Sequence, residues 1–334
     1  MQTGCCFFNP FCGDEMNEFI YSDDNKRYHT WNYHLRHKFG CKVMKIALNA
    51  GFTCPNIDGT KGYGGCIYCS ETGSGDFAGD PEDSIMRQFD EVRQRMHKKW
   101  HEGKYMPYFQ AHTNTYAPVS VLRDRFECVL REPNVVGISI ATRADCLNDD
   151  VVEYLEELHS RTYLIVELGL QSVYNETGKR INRCHTYEEF LEGYNKLKSR
   201  GINICIHLID GLPGETKDMM IESARRVGEL NPHCVKLHLL HILEGTVLAN
   251  EYRNGNVQPL TREEYVDIIV SQLEVIPKEV VIQRLTGDGA RDSLIAPLWS
   301  LKKFEVLNSI DKLMIQRNTY QGIKCELLKG TNIK

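Results

Sequence analysis

The sequence has no run of eighteen apolar residues and does not begin with the basic, apolar and small-residue segments of a secretory signal. It also has no excess of positive charge, because 40 lysines and arginines stand against 45 acidic residues, for a formal net charge of −5. The first two absences predict a cytoplasmic protein that makes no membrane contact. The third means that any nucleic-acid contact must come from local basic patches such as Lys98 with Lys99 or Lys302 with Lys303.

Apolar, β-branched segments alternate along the chain with segments of helical period. Six strands are predicted within KVMKIALNAG, YMPYFQAHTN, VVGISIAT, TYLIVELGL, NICIHLIDGL and VKLHLLHIL. Helices are predicted at 81–100, 119–131, 149–161, 186–200, 216–230 and 261–275, and the threonines of TYEEF and TREEY are expected to cap two of them. This alternation favours parallel βα units.

No glycine-rich phosphate-binding turn follows the first predicted strand, which argues against an open doubly wound sheet. We therefore predict an α/β fold built on a partial TIM-type barrel of six βα units. The predicted barrel spans 41–250, after a short N-terminal extension at 1–40. A small α/β extension at 251–334 is expected to complete the side of the barrel and the substrate region.

The thirteen cysteines are odd in number and too sparse for a disulfide scaffold, so reduced thiols are expected. Three of them, Cys54, Cys66 and Cys69, fall in TCPNIDGTKGYGGCIYC, within a loop of about thirty residues after the first strand. In barrel folds such loops form the active-site mouth. Structural zinc prefers four protein ligands, and a disulfide would leave one sulfur over. A [4Fe-4S] cluster held by three thiolates instead keeps one iron open for a small molecule.

The cysteine stretch resembles the radical S-adenosylmethionine (SAM) superfamily, in which three cysteines after the first barrel strand hold such a cluster. The eleven residues between Cys54 and Cys66 depart from the commonest spacing and are similar to the elongator-type branch, associated with tRNA wobble-uridine modification. The resemblance extends to ELGLQS, INRCHT and HLIDGLPGET, which also occur in similar form in oxygen-independent coproporphyrinogen oxidases. The chain after the barrel is too short for the acetyltransferase domain of the elongator enzymes.

The resemblance implies that Cys54, Cys66 and Cys69 hold three irons and that SAM binds the fourth through its amine and carboxylate. One electron would then cleave SAM to methionine and a 5′-deoxyadenosyl radical. The residues expected to contact the cofactor are Tyr68, Gln110, Thr113, Arg143, Glu167, Gln171, Arg183, His207, Gly211 and Pro213. His207 stands where the porphyrinogen-type enzymes carry aspartate.

Individual roles follow from residue chemistry and from the resemblance together. Tyr68 would pack beside the adenine or shield the cluster, and Arg143 or Arg183 would pair with the carboxylate of SAM or with substrate. Glu167, inside an apolar strand, needs a partner, which could be a ribose hydroxyl, the amine or a neighbouring arginine. Gln110, Thr113 and Asn114 stand in place of the glycine-rich motif that often binds the methionine amine in the family.

Three functions remain open from the sequence. The first is radical chemistry at carbon 5 of a tRNA wobble uridine, with tRNA as substrate. The second is radical chemistry on a small molecule or tetrapyrrole, and the third is a metal-binding protein without turnover. The resemblance also implies an electron donor such as flavodoxin or ferredoxin and a partner methyltransferase, while Cys5, Cys6 and Cys12 could ligate a second cluster.

Overall fold

The computed structural model describes residues 19–71, 73, 78–287, 289 and 291–325, so Cys5, Cys6 and Cys12 lie outside the described residues. Its centre is a seven-stranded parallel sheet in the order β1-β2-β3-β4-β5-β6-β8. The strands are β1 Val43–Leu48, β2 Lys104–Phe109, β3 Gly137–Thr142, β4 Tyr163–Gln171, β5 Asn203–Asp210, β6 Cys234–Leu239 and β8 Val281–Arg284. Strands β7 (Ile242–Leu243) and β9 (Leu294–Ala296) form a separate antiparallel pair.

Ten α-helices connect or flank these strands in the described part of the chain. They are α1 Trp31–Phe39, α2 Ile85–His97, α3 Val119–Leu130, α4 Asp149–Arg161, α5 Asn175–Arg180, α6 Tyr187–Ser199, α7 Lys217–Leu230, α8 Val247–Arg253, α9 Arg262–Val275 and α10 Lys303–Gln316. Thr186 and Thr261 form the capping boxes that begin α6 and α9, as the sequence predicts. No helix among these residues is long and apolar enough to span a bilayer.

The twisted sheet curls into a half-barrel, and alternate residues of each strand face its outer and inner sides. In β1, Met44, Ile46 and Leu48 pack into the main hydrophobic core with the surrounding helices. Lys45 and Ala47, between them, face the hollow inner side and line a cavity there. The inner face is therefore polar enough to hold a ligand, while the outer face carries most of the apolar packing.

The base of the half-barrel is closed by an apolar layer and by α1. Ile165, Cys205, Cys234 and Val281 form this layer, with Trp31 of α1 packed against it. The segment before α1 is fixed to β8, because the backbone amide of Ile282 donates to the carbonyl of His29 at 2.8 Å. Ligands therefore enter from the opposite end, where the strands finish.

The predicted partial barrel is confirmed, with one more strand than the six predicted. Strand β8 lies within 251–334, which the sequence assigns to the C-terminal extension, and it pairs in parallel with β6 through Cys234 and Val281. Strand β8 has only four residues, which are too few to show a periodic pattern. Its first residue, Val281, is buried in the apolar layer at the base. This segment forms a strand because it pairs with β6, a contact that the local sequence does not indicate.

Candidate active site at the mouth of the half-barrel

A cavity of about 810 Å³ occupies the inside of the half-barrel and opens at the carboxyl ends of the strands. Cys54, Cys66 and Cys69 all line it, as expected for a loop that follows β1. Of the other predicted cofactor contacts, it is lined by Tyr68, Gln110, Thr113, Arg143, Glu167, Gln171, Arg183 and His207. Gly211 and Pro213 lie in the turn after β5 and are not among the lining residues, and their role stays a prediction.

The thiols sit in a polar environment that favours deprotonation of one of them. A hydrogen bond with the Cys69 thiol, aided by the charge of Arg143 and by the Tyr68 hydroxyl and Asn56 amide, lowers the pKa of Cys66 to about 6 despite its burial. Burial raises the pKa of Cys54, although Thr113 Oγ1 lies 3.0 Å from its sulfur. The thiolate is the metal-binding form of cysteine, so hydrogen-bond donors around the sulfurs suit metal ligation.

The cysteine loop is held in place by the segment 181–185, which lies within the INRCHT motif. The amide of Ile67 donates to the carbonyl of Ile181 at 3.1 Å, and Asn182 Nδ2 donates to the carbonyls of Tyr63 and Gly65 at 3.0 and 2.6 Å. Asn182 adopts a left-handed backbone conformation with φ of 54°. The motif thus holds the backbone between the cysteines in place.

Arg143 is held by an ion pair of its own rather than projecting freely into the cavity. Its Nε and Nη2 atoms donate to Asp145 at 2.9 Å each, and Nη1 donates to the carbonyl of Arg183 at 2.7 Å. Lys61, from the cysteine loop, also reaches Asp145 at 2.8 Å. Arg143 and Lys61 hold the pKa of Asp145 down at about 2 although burial opposes its ionisation. Asp145 therefore ties the loop to β3.

Arg183 is 1% exposed and is one of the residues that line the cavity. Its Nε donates to the carbonyl of His185 at 3.0 Å and its Nη1 to the carbonyl of Ser172 at 2.6 Å. Its Nη2 has no hydrogen-bond partner in the part of the chain that the structure describes. A buried unpaired guanidinium nitrogen is costly, which points to an acceptor supplied by a ligand.

Gln171 ends β4 in a left-handed conformation, with φ of 64°, beside a register shift that begins at Gly169. A Cβ on Gly169 would lie 2.6 Å from Nε2 of Gln171, so the glycine leaves room for the amide. A strained residue that lines a cavity is typical of a ligand-binding position.

Glu167 is fully buried and is paired with cations. The sequence predicted that it needs a partner, but the partners are lysines and not the arginine that was considered. Lys45 Nζ lies 2.6 Å from Oε1, His207 Nε2 lies 2.7 Å from Oε2, and Lys236 Nζ also pairs with Oε2. Burial disfavours the carboxylate, but the charges of Lys236 and Lys45 prevail and hold its pKa well below the usual range. Both carboxylate oxygens are thus occupied.

The residues present suit a metal cluster better than a single ion. Among the described residues, one group of three possible ligands has all its ligand atoms within 4.8 Å, namely Glu167, Cys205 and His207. Cys54, Cys66 and Cys69 all line one cavity, and three thiols on one cavity fit a cluster of several irons. Glu167 is already neutralised by two lysines, so that buried trio is a poor cation site.

Sequence reasoning missed Lys45, Tyr108, Lys236 and Gln283, which line the deep part of the cavity. Lys45 and Lys236 sit in the middle of apolar strands, at alternating positions that face inward. A charged residue inside an apolar strand indicates a functional position, and the same reasoning led to Glu167. It could have identified both lysines from the sequence.

Two family models match the chain. Residues 59–227 match the model described as Radical SAM superfamily, and residues 232–316 match the model described as Radical_SAM C-terminal domain. Together they cover the sheet from β2 to β8 and the helices from α2 to α10.

Among the relatives, the uncharacterized protein YtqA of Bacillus subtilis (strain 168) is 54% identical over 306 residues, 92% of this chain and 95% of that protein. The tRNA uridine(34) acetyltransferase of Methanocaldococcus jannaschii is 27% identical over 201 residues, 59% of this chain but 35% of its own length. A solved structure of Methanocaldococcus infernus Elp3 superposes with a TM-score of 0.62 at 19% identity, over 84% of this chain and 64% of that chain. This last likeness concerns the fold alone.

Proposed function

This chain belongs to the radical SAM superfamily and is an iron–sulfur enzyme of that class, and we propose that it modifies carbon 5 of the wobble uridine of tRNA. The similarity to the tRNA uridine(34) acetyltransferase of Methanocaldococcus jannaschii carries the substrate part of this proposal. Since only 35% of that protein is matched, acetyl transfer is not part of the proposed activity.

The superfamily implies a [4Fe-4S] cluster and SAM, and we propose Cys54, Cys66 and Cys69 as the three ligands. The cluster, when bound, supplies one electron for cleavage of SAM to a 5′-deoxyadenosyl radical. In this proposal Thr113 hydrogen-bonds the sulfur of Cys54, and the free Nη2 of Arg183 receives the carboxylate of SAM. Asp145 and Asn182 hold the loop rigid so that the ligands keep their positions.

The rim of the cavity supports an RNA substrate. Leu301 and Lys303 line the cavity, and next to them Phe304 exposes 80% of its surface. Tyr63, within the cysteine loop, is 79% exposed. Exposed aromatic side chains beside lysines are the usual platform on which unpaired bases stack. An overall negative protein can contact RNA through such a local patch.

Nucleoside analysis tests the tRNA proposal. We expect tRNA from a deletion strain to carry a changed wobble nucleoside, measured by mass spectrometry. Wild-type protein and the Cys128→Ala control should restore the nucleoside, and Cys66→Ala should not. An unchanged wobble nucleoside in the deletion strain contradicts the tRNA proposal and leaves a small molecule or tetrapyrrole as substrate. Absence of SAM cleavage by anaerobically reconstituted protein would instead favour a metal-binding protein without turnover.

Two partners belong to the same proposal. Reductive cleavage requires a one-electron donor, for which we propose flavodoxin or ferredoxin. We also propose that a separate methyltransferase acts on the modified uridine. Incubation of the reconstituted enzyme with each reduced donor, and SAM cleavage as the readout, tests the first.

A further inference from the structure

The deep part of the cavity is built around two ammonium groups and one carboxylate. Lys45 of β1 and Lys236 of β6 both contact Glu167 of β4. Both ammonium groups lie against the ring of Tyr108, with each Nζ 4.4 Å from its centroid. We call Lys45, Tyr108, Glu167 and Lys236 the cavity floor. These residues lie in the interior of their strands, below the cysteine loop that follows β1.

The two ammonium groups retain hydrogen-bonding capacity toward the cavity. An ammonium has three donors. Lys45 Nζ uses two on Glu167 and on Gln283 Oε1 at 2.8 Å, and Lys236 Nζ uses two on Glu167 and on Tyr108 OH at 3.1 Å. The described residues provide no third acceptor for either group. Both lysines line the cavity, so each third donor is available to a ligand.

The charge of the floor is also unbalanced. Glu167 is the only acidic residue among the described residues that line the cavity, and it neutralises one of the two lysines. Nearby, His238 Nε2 is buried without a hydrogen-bond partner among the described residues. A buried excess of positive charge is costly unless a negative group joins it.

We propose that the cavity floor is an anion-binding subsite that receives a carboxylate or phosphate group of the molecule on which the radical acts. This inference rests on the proposed radical enzyme function and adds a substrate class to it. Lys236, whose side chain is 7% exposed, is the more buried of the two ammonium groups, and Lys45, at 22%, supplies the second donor. The anionic end of the substrate would lie at the floor, and the reacting carbon nearer to the cysteine loop.

Anion binding without turnover tests the subsite. The anaerobically reconstituted holoenzyme, saturated with SAM and without reductant, is titrated with sodium acetate or with inorganic phosphate at constant ionic strength. The shift of the unfolding temperature gives the affinity. We expect saturable binding of one of the two probes, and the probe that binds assigns the group as carboxylate or phosphate. Absence of saturable binding for both overturns the proposal.

Variants that remove a positive charge and a variant that removes the negative charge should change anion binding in opposite directions. This difference distinguishes loss of the subsite from general damage to the fold. Lys236→Met should weaken binding of that probe by about tenfold or more, and Lys45→Met should weaken it as well. Glu167→Gln removes the competing negative charge and should tighten binding, which damage to the fold would not do. Lys302→Met, an exposed lysine paired with Glu305, is the matched control and should bind like the wild type.

Unchanged binding in both lysine variants, or weaker binding in Glu167→Gln, overturns the proposal. The titration contains neither tRNA nor reductant, so a failure of the wobble-uridine proposal leaves its result intact. A failure of the subsite likewise leaves the nucleoside analysis intact.

Discussion

Nε2 of Gln272, on α9, donates to Oδ1 of Asp210, at the end of β5, over 2.6 Å inside the wall of the half-barrel. Both side chains are buried, and this burial raises the pKa of Asp210 to about 8. Asp210 is therefore protonated when folded at pH values where it is ionised in the unfolded chain. The folded state binds the extra proton between pH 4 and pH 8.

Burial of Asp210 should make the protein less stable as the pH rises. The contribution of Asp210 to the free energy of unfolding is fully present below about pH 4 and is lost as the pH rises toward 8. In Asp210→Asn the free energy of unfolding should not show this decrease, which is on the order of a few kcal/mol in the wild type, because an amide stays neutral at every pH. Urea unfolding between pH 5 and 8.5 measures the free energy of unfolding. The exposed Asp218→Asn is the control, and parallel curves for Asp210→Asn and wild type contradict the prediction.

The ion pair between Arg143 and Asp145 predicts a second stability effect. Asp145→Asn leaves the buried guanidinium of Arg143 without its carboxylate and releases Lys61 of the cysteine loop. We expect a loss of about 3 kcal/mol in the free energy of unfolding, measured by urea denaturation at pH 7. Asp149→Asn removes an exposed partner of Lys196 and should change stability little. Equal effects of the two variants would show that Asp145 does not anchor the loop.

Much of this architecture was predictable because it depends on local signals. The bounds of α4, Asp149–Arg161, agree with the sequence pattern, since Asn148 caps its start and acidic residues follow in the first turn. The spacing of Cys54, Cys66 and Cys69 likewise predicted a shared site, and all three line one cavity. Helix caps and loop motifs are written in a few adjacent residues, so they can be identified without knowledge of the fold.

Long-range pairing was not predictable in the same way. The partners of Glu167 come from β1 and β6, which are 122 and 69 residues away in sequence. Only the sheet order brings Lys45 and Lys236 to one carboxylate, so the sequence could show that Glu167 needs a partner but not which one. The commitment of Arg143 to Asp145 could be suspected from their proximity, yet its burial depends on the segment 181–185.

Cluster assembly depends on three particular thiols among the thirteen cysteines. Cys54→Ala, Cys66→Ala and Cys69→Ala should each lose most of the about four irons expected per chain, because each removes one cluster ligand. Iron and acid-labile sulfide are measured after anaerobic reconstitution. Cys128→Ala, on the surface helix α3, should retain both. Full iron and sulfide content in Cys66→Ala would exclude it as a ligand.

The hydrogen bond from Thr113 Oγ1 to Cys54 Sγ should tune the cluster potential. Hydrogen bonds to ligand sulfur favour the reduced cluster, which carries more negative charge. Thr113→Val should lower the reduction potential by about 20–60 mV, if the bond contributes about 0.5–1.5 kcal/mol to a one-electron couple. A redox titration followed by electron paramagnetic resonance measures it. Thr60→Val, an exposed threonine of the same loop, should leave the potential unchanged, and an equal shift in both variants would contradict the assignment.

Phe304 gives the sharpest test of the RNA surface, because its ring is 80% exposed next to Lys303 at the cavity rim. If a base of the anticodon loop stacks on this ring, Phe304→Ala should weaken tRNA binding by about 1–3 kcal/mol, or about fivefold to 150-fold. Filter binding at fixed salt measures the affinity. Ile315→Ala, 52% exposed near the other end of α10, is the matched control. Since neither residue lines the cavity, SAM cleavage without tRNA should be unchanged in both variants. Equal tRNA affinity of Phe304→Ala and wild type would mean that the RNA binds elsewhere on the protein.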